Sequence, residues 1–285
     1  MENILPYHKR QGDLVLSLRF VTPSQERARE VKTDLNLDAS EDAHVETAIE
    51  NYSFKDSVYA VYAAESHPDQ FPRGWDRNLS GDNVVLVDSV LNTFRGIKQE
   101  WEDRNRPLNF YKRPQPELIA EAFDRVRWCQ DVSTVGGELM SNLILKHALP
   151  NANHRTAVAY VRTYLQSVTD DPRTEFEHAG DYQGEWHDWA RKHVYESKRL
   201  LMLRRKEGLF RHAKQFGVTT VRRKSGVKID LTAHDFESGN MRSMAEEGHK
   251  NRCVQFVKDV LTRSGYEELI KRNDDGKRAF VDRLR

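Results

Sequence analysis

Apolar residues recur at helical spacing over residues 82–105. In DNVVLVDSVLNTFRGIKQEWEDRN, Val84, Val87, Leu91, Phe94 and Ile97 stand three or four positions apart, which predicts an amphipathic helix. The next stretch, RPLNFYKRPQP, breaks the pattern, because Pro107, Pro114 and Pro116 each lack a backbone donor and bias the preceding residue away from helix. Pro116 itself is tolerated in a first turn, so PELIAEAFDRVRWCQ reads as the following helix. In GGELMSNLILKHA, residues Leu139, Leu143, Ile144 and Leu145 make a broad apolar face, and Pro150 requires that helix to stop near Leu149. A fresh helix starts at about Asn153 and runs through RTAVAYVRTYLQSV.

The C-terminal third predicts a long helix over HDWARKHVYESKRLLMLRRKEGLFRHAKQF. Two β-like runs in VTTVRRKSGVKIDL flank Lys224, Ser225 and Gly226 as a hairpin, and helix resumes in NRCVQFVKDVLTRSGYEELIKR. Residues 23–65 mix helix-compatible runs, and Pro68, Pro72, Gly74 and Gly81 crowd a turn-rich exit at 66–82. The expected fold is mainly α, with one or two small hairpins. Its expected parts are an N-terminal helical extension at 1–82, a helical core at 83–200, and a basic, hairpin-containing extension at 201–285.

Charged residues are 31% of the 285-residue chain against 38% hydrophobic, and the mean hydropathy is -0.77, so a solvated surface is expected. No apolar run approaches the ~18 residues of a membrane span, and the N-terminus does not look like a secretory signal. A cytoplasmic protein with no membrane partner is the expectation. Cys129 and Cys253 are too few and too far apart for a disulfide framework or a cysteine-based zinc site. The net charge of +1 conceals an uneven distribution, because residues 191–228 hold thirteen bases against two acids. That tract, with Lys198, Arg199, Arg204, Arg205, Arg222, Arg223 and Lys224, keeps a nucleic-acid partner in view beside the ordinary reading of a solvated face. His178, His187 and His193 match no standard zinc spacing.

The break in KHALPNANHRT carries the candidate chemistry. A helix ending at His147 offers an imidazole, whose ordinary pKa near ~6.5 suits a general base. A helix beginning near Asn153 offers unpaired N–H groups and the positive end of its dipole, a combination that binds anions. Ala152 is small enough for close approach to the backbone, Asn153 can donate from its amide, and Arg155 can fork onto phosphate oxygens.

On these residues HALPNANHRT resembles the motif of the Fic and Doc proteins, HxFx[DE]GNGRxxR in one branch and HxFxDANKRT in the other. His147 matches the motif histidine, Leu149 the apolar position, Ala152 and Asn153 the Ala-Asn of the Doc form, and Arg155 and Thr156 its Arg-Thr. The resemblance covers about 11 residues closely and about 110 loosely. It implies an all-helical Fic-like core in which His147 deprotonates a Ser, Thr or Tyr hydroxyl on a target protein. That hydroxyl attacks a phosphate of ATP or another nucleoside triphosphate, held by residues 152–156, His154 and Thr156 included. AMP or phosphate is transferred, in the manner of a toxin-like factor with an antitoxin or other inhibitory protein as partner.

Three positions depart from the family pattern. Asn151 stands where the family places the acid that holds Mg2+, His154 replaces a glycine and Val158 an arginine. A neutral amide is a poorer ligand for that hard cation than a carboxylate. A catalytically degenerate, nucleotide- or partner-binding relative and a nucleic-acid-associated protein acting through the basic tract are therefore the alternatives. The family's inhibitory pattern, (S/T)xxxE(G/N), is approximated by SMAEEG at 243–248 and ETAIEN at 46–51, and NFYKR at 109–113 is the candidate for the short flap upstream of the motif.

Overall fold

The computed structural model describes residues 2–37, 43–169, 174–180 and 185–285. They form two compact units, each assembled from separate stretches of chain. One comprises Met1–Asp69, Phe110–Lys112 and Lys198–Glu246, and the other Gln70–Asn109, Arg113–Ser197 and Glu247–Arg285.

The first unit is built on strands β1 (Ile4–Pro6), β2 (His8–Gln11), β3 (Leu14–Thr22), β4 (His44–Ser53), β5 (Ser57–Ser66), β6 (Thr220–Arg222) and β7 (Lys228–Asp230), with helix α1 (Gln25–Leu37). An antiparallel sheet runs in the order β2-β3-β5-β4, and a second sheet pairs β1 parallel to β6 and β6 antiparallel to β7. Gln11 pairs with Leu14, which leaves Gly12 and Asp13 as a two-residue loop, and the φ of +59° at Gly12 is the left-handed conformation such loops require. Leu16 and Leu18 of β3 and Val58, Ala60 and Tyr62 of β5 face one core with Val221, Ile229 and Phe236. Each large aliphatic or aromatic side chain buried there contributes about 2 kcal/mol relative to exposure. The same core takes Met202, Leu203 and Phe210 from helix α6 (Asp188–Gln215) and Met241 and Ala245 from α7 (Met241–Arg263).

The chain is therefore mixed α/β: the helices of the mainly α expectation are present in part, and that expectation is corrected by the two sheets beside them. The supposed N-terminal helical extension is largely sheet. Residues 44–53 and 57–66 pair as β4 and β5 because both faces of β5 are covered, Val58, Ala60 and Tyr62 on one side and Val61 and Ala63 on the other. ETAIEN lies in β4 and cannot act as an inhibitory helix, and Glu50 pairs with Lys9. The hairpin expected around residues 224–226 is present as β6 and β7.

The second unit is helical: α2 (Gly81–Glu102), α3 (Pro116–Asp124), α4 (Val132–Lys146), α5 (Asn153–Ser167), α8 (Lys277–Leu284), the first part of α6 and most of α7. Caps fix the starts. Ser80 accepts from Asn83 N–H at 3.3 Å, Asp131 accepts from Thr134 N–H at 2.8 Å, and Pro116 opens α3 as expected. Phe280 of α8 meets Tyr160 and Tyr164 of α5 edge-on. Helix α4 begins four residues before Gly136, so its two glycines lie in the interior, where α7 comes so close that a Cβ on Gly137 would sit 2.5 Å from the Cα of Val254. The flap candidate at 109–113 carries no strand; residues 106–115 are irregular. Among the described residues no helix is long and apolar enough to cross a membrane.

Candidate functional site

Helix α4 ends at His147 and α5 starts after Ala152. Both flanking residues are left-handed without being glycine, with φ/ψ of 51°/43° at His147 and 51°/19° at Ala152. Such backbone costs on the order of 1 kcal/mol per residue and persists where the surroundings impose it. The imposing element is Asn153. Its Oδ1 accepts from Leu149 N–H at 3.0 Å, and its Nδ2 donates to the Leu149 carbonyl at 2.9 Å and to that of Asn151 at 3.3 Å. One buried amide thus clamps the turn in both directions. No side chain caps α5, so its first-turn N–H groups are not satisfied by a cap.

The remaining motif residues divide between inward and outward roles. Asn151 braces the loop: its Oδ1 accepts from Ala152 N–H at 2.7 Å, and its Nδ2 donates to the Asn109 carbonyl at 2.9 Å. Gln115 N–H reaches the Ala148 carbonyl at 3.0 Å, so the first residue of the flap candidate and the chain just after it are both tied to the motif loop. Thr156 is buried, with its hydroxyl shielded from solvent. His154 turns into the helical unit, where its Nε2 lies 3.0 Å from Ser197 Oγ. Ser197 Oγ is 2.7 Å from His249 Nε2, and His249 Nδ1 is 2.8 Å from Ser141 Oγ. A neutral His249 satisfies this relay in either direction, each group donating to the next. Cys253 lies 3.6 Å from the same imidazole, and burial pushes its thiol pKa up.

The residues do not fit a resident magnesium ion. The loop LPNANHRT contains no carboxylate, and the Asn151 amide is engaged at both ends. Among the described residues no group of three or more His, Cys, Asp or Glu is placed to hold a metal. No step below is routed through one.

Arg155 faces outward, its guanidinium 4.7 Å from the Trp186 ring centre and 6.0 Å from that of Trp101. Gly180 admits it, since a Cβ there would stand 3.3 Å from Arg155 Nη1. These groups open onto a cavity of about 480 Å³ between α2, α5, residues 176–180, 186 and 187, and α7. Its wall is mostly apolar, with Ile97, Val158, Phe176, Phe256 and Val260, and it also carries Arg104, Arg155, Arg162, His178 and His187 beside the acids Glu100 and Glu177. Burial, followed by the charge of Arg162, lowers the His178 pKa; Glu100 opposes this, and His187 and Arg155 add to it. The Nε of Arg162 is buried without a hydrogen-bond partner among the described residues. A cavity of this size and lining suits a planar or apolar body with an anionic end. His147 is not among its lining residues.

A family match spans the whole chain, residues 1–285. The chain belongs to the family of unknown function DUF8172. No match was found among curated proteins or among solved structures. Membership of DUF8172 names no activity, so the functional argument rests on the residues themselves.

Sequence reasoning missed Trp101, Trp186 and Arg162 and set aside His178 and His187 as candidate zinc ligands. Arg155, Val158, Ala159, Arg162 and Leu165 follow the i, i+3, i+4, i+7 spacing of one α5 face, which is the signal the sequence offered. His193 lies elsewhere, 2.7 Å from Asp259. Glu247 of SMAEEG pairs with Lys250 within α7 at 2.7 Å.

Proposed function

We propose that this chain is a Fic/Doc-type transferase that moves AMP or phosphate from a nucleoside triphosphate to a protein hydroxyl. The observation that carries the reading is the clamped turn between two left-handed residues, with His147 at one end and the uncapped start of α5 at the other. In this scheme the N–H groups of residues 153–155 and the Arg155 guanidinium hold phosphate oxygens, and His147 takes the proton of the target hydroxyl. The hydroxyl oxygen bonds to phosphorus as the bond to pyrophosphate breaks in AMP transfer, or the bond to ADP in phosphoryl transfer. The leaving group departs with the electron pair. Backbone donors at a helix start stabilise the charge that gathers on the phosphoryl oxygens, which is the larger part of such catalysis.

ATP labelled separately on adenine and on the γ-phosphate, incubated with the protein alone and with a cell lysate, tests this. Label should reach protein with the wild type and not with His147→Ala. Absence of label from both ATP preparations, with the wild type folded, refutes the transferase.

One observation favours a second, binding-only reading: the cavity is lined by Arg155 and not by His147. That reading expects ATP binding equal in the wild type and His147→Ala, no transfer by either, and loss of binding in Trp186→Leu.

A further inference from the structure

The two-sheet unit concentrates cations where four elements meet. Tyr7 sits at the corner between β1 and β2, buried, with its N–H donating to the Arg222 carbonyl at 2.8 Å and its carbonyl accepting from Leu18 N–H at 2.8 Å. Around it stand Arg19 of β3, Arg205 and Lys206 of α6, and Arg223 and Lys224 of the turn after β6. The Tyr7 hydroxyl feels the charges of Arg19, Arg223 and Arg205, and Lys206 those of Arg19 and Arg205. Local backbone geometry builds this arrangement. Lys206 has non-helical φ/ψ of −122°/19° and kinks α6 at the cluster, and Lys224 N–H donates to His8 Nδ1 at 3.2 Å.

These cations chiefly face one another. Among the described residues a carboxylate that pairs with this group is Glu65, which accepts from Arg19 at 2.8 Å and also lies 3.5 Å from His67. The Nε atoms of Arg19 and Arg223 are buried without a hydrogen-bond partner among the described residues, so at least two guanidinium N–H groups lack an acceptor. Partial burial, and after it the charges of Arg19 and Arg205, holds the Lys206 ammonium down to about 8. Desolvation by the protein packed around its ammonium, followed by the charge of Arg223, lowers Lys224 in the same sense although the side chain remains open to solvent on one side. The free protein therefore holds partly desolvated cations with unfilled donors, which an anion would satisfy. Arg205 and Lys224 are solvent-exposed, so the cluster is reachable, and Lys224 Nζ stands 6.0 Å from the centre of the Tyr111 ring, itself 44% exposed.

We infer that this cluster binds the phosphate group of a nucleotide, free or within a nucleic-acid strand, with Arg19, Arg205, Lys206, Arg223 and Lys224 on the oxyanion and Tyr111 offering a ring to the base. Three guanidinium forks and two ammonium groups, against the one carboxylate seen paired with them among the described residues, match a multiply charged oxyanion better than a single carboxylate. An exposed ring beside a cation is the pairing that stacks a base without reading its identity. The site uses neither His147 nor α5, so it stands or falls separately from the proposed transferase.

The test measures binding of a fluorescein-labelled single-stranded RNA of about 20 nucleotides by anisotropy, and of pyrophosphate by calorimetry, from about 50 to 200 mM salt. Wild type and His147→Ala should bind at least one probe alike. The Arg223→Gln/Lys224→Gln pair should bind it at least ~10-fold more weakly, with the salt slope for RNA shallower by about 1.4. Tight RNA binding that pyrophosphate does not displace assigns a strand, and tight pyrophosphate binding assigns a free nucleotide; both support the site. Because Lys224 is exposed, Lys224→Gln alone should fold and lose part of the affinity. Binding of neither probe below about 1 mM, or equal binding by wild type and both variants, overturns the inference.

Discussion

Gly137 is the tightest point between α4 and α7, and alanine there tests how the helical unit is packed. A Cβ would stand 2.5 Å from Val254 Cα and Cγ2 and 2.6 Å from Val254 N, so the obstacle includes backbone that no rotamer change can move. Restoring ordinary contact requires the helices to part by about 1 Å, and overpacking of this kind costs roughly 1–3 kcal/mol or more. Alanine in a helix interior returns about 1 kcal/mol of propensity. With the steric cost at or above its upper end, the net loss for Gly137→Ala is about 2–3 kcal/mol. The neighbouring residue is the control. At Gly136 the nearest atoms are the side-chain atoms Tyr164 Cε1 and Val257 Cγ1, both at 3.3 Å, which need to yield only a few tenths of an ångström. There the propensity gain offsets the crowding, and Gly136→Ala should fall within about 0.5 kcal/mol of wild type. Urea unfolding followed by far-ultraviolet circular dichroism, with the m-value checked for constancy, measures both. If the two alanines cost the same, or Gly137→Ala is as stable as wild type, the close approach of α4 and α7 is wrong.

Three further outcomes are expected. His249→Leu should cost about 3 kcal/mol, because it leaves the Ser141 and Ser197 hydroxyls buried without their imidazole, and adding Ser141→Ala should recover part of that loss; strict additivity in the double-mutant cycle would refute the relay. Burial, then the charges of Arg223 and Lys224, pushes the His8 pKa down to about 3, so between there and about 6.5 the unfolded chain takes a proton that the folded chain refuses. His8 therefore leaves stability intact above about pH 6.5 and lowers it as pH falls toward 3, and His8→Asn should flatten stability between pH 5 and 7 by about 1 kcal/mol, an unchanged slope being the contrary result. Ala152→Gly should stabilise by about 0.5 kcal/mol in the same urea assay, since glycine tolerates φ of +51° without a Cβ penalty, and a loss of similar size would mean the left-handed turn is misassigned.

What the sequence made legible was local. Pro116 and Pro150 mark breaks that hold, the helix beginning at Asn153 starts there, and the hairpin around Ser225 forms, because each is decided by residues a few positions apart. The sheet was missed where stabilisation is non-local. In β5 both faces are buried, so SVYAVYAAES shows no clean alternation, and its alanines read as helix formers. In β4, Glu46 and Glu50 stand four apart as on a helix, although their neighbours pair residue by residue with β5. Gly136 and Gly137 suggested a helix start; their actual role, to admit α7, depends on Val254 more than a hundred residues away. The cation cluster was legible only as composition, since the tract at 191–228 supplies Arg205, Lys206, Arg223 and Lys224 but not Arg19 or Tyr7.

The motif at 147–156 shows why a ligand-binding pattern and a folding pattern can coincide. Asn153 clamps Leu149, His154 joins a buried relay, Thr156 is packed inside, and Asn151 braces the loop, so four of the residues that resemble a nucleotide cradle are held by the protein's own backbone and side chains. A turn with two left-handed non-glycine residues needs that bracing whether or not it binds anything. The pattern can therefore be maintained by stability alone at these four positions. His147 and Arg155 differ: the first ends a helix in a strained conformation, and the second is laid between two tryptophans at the edge of a cavity. Substitution at 151, 153, 154 or 156 tests the loop, whereas substitution at 147 or 155 tests the chemistry, and only the second kind separates a transferase from a protein that has kept the turn and lost the reaction.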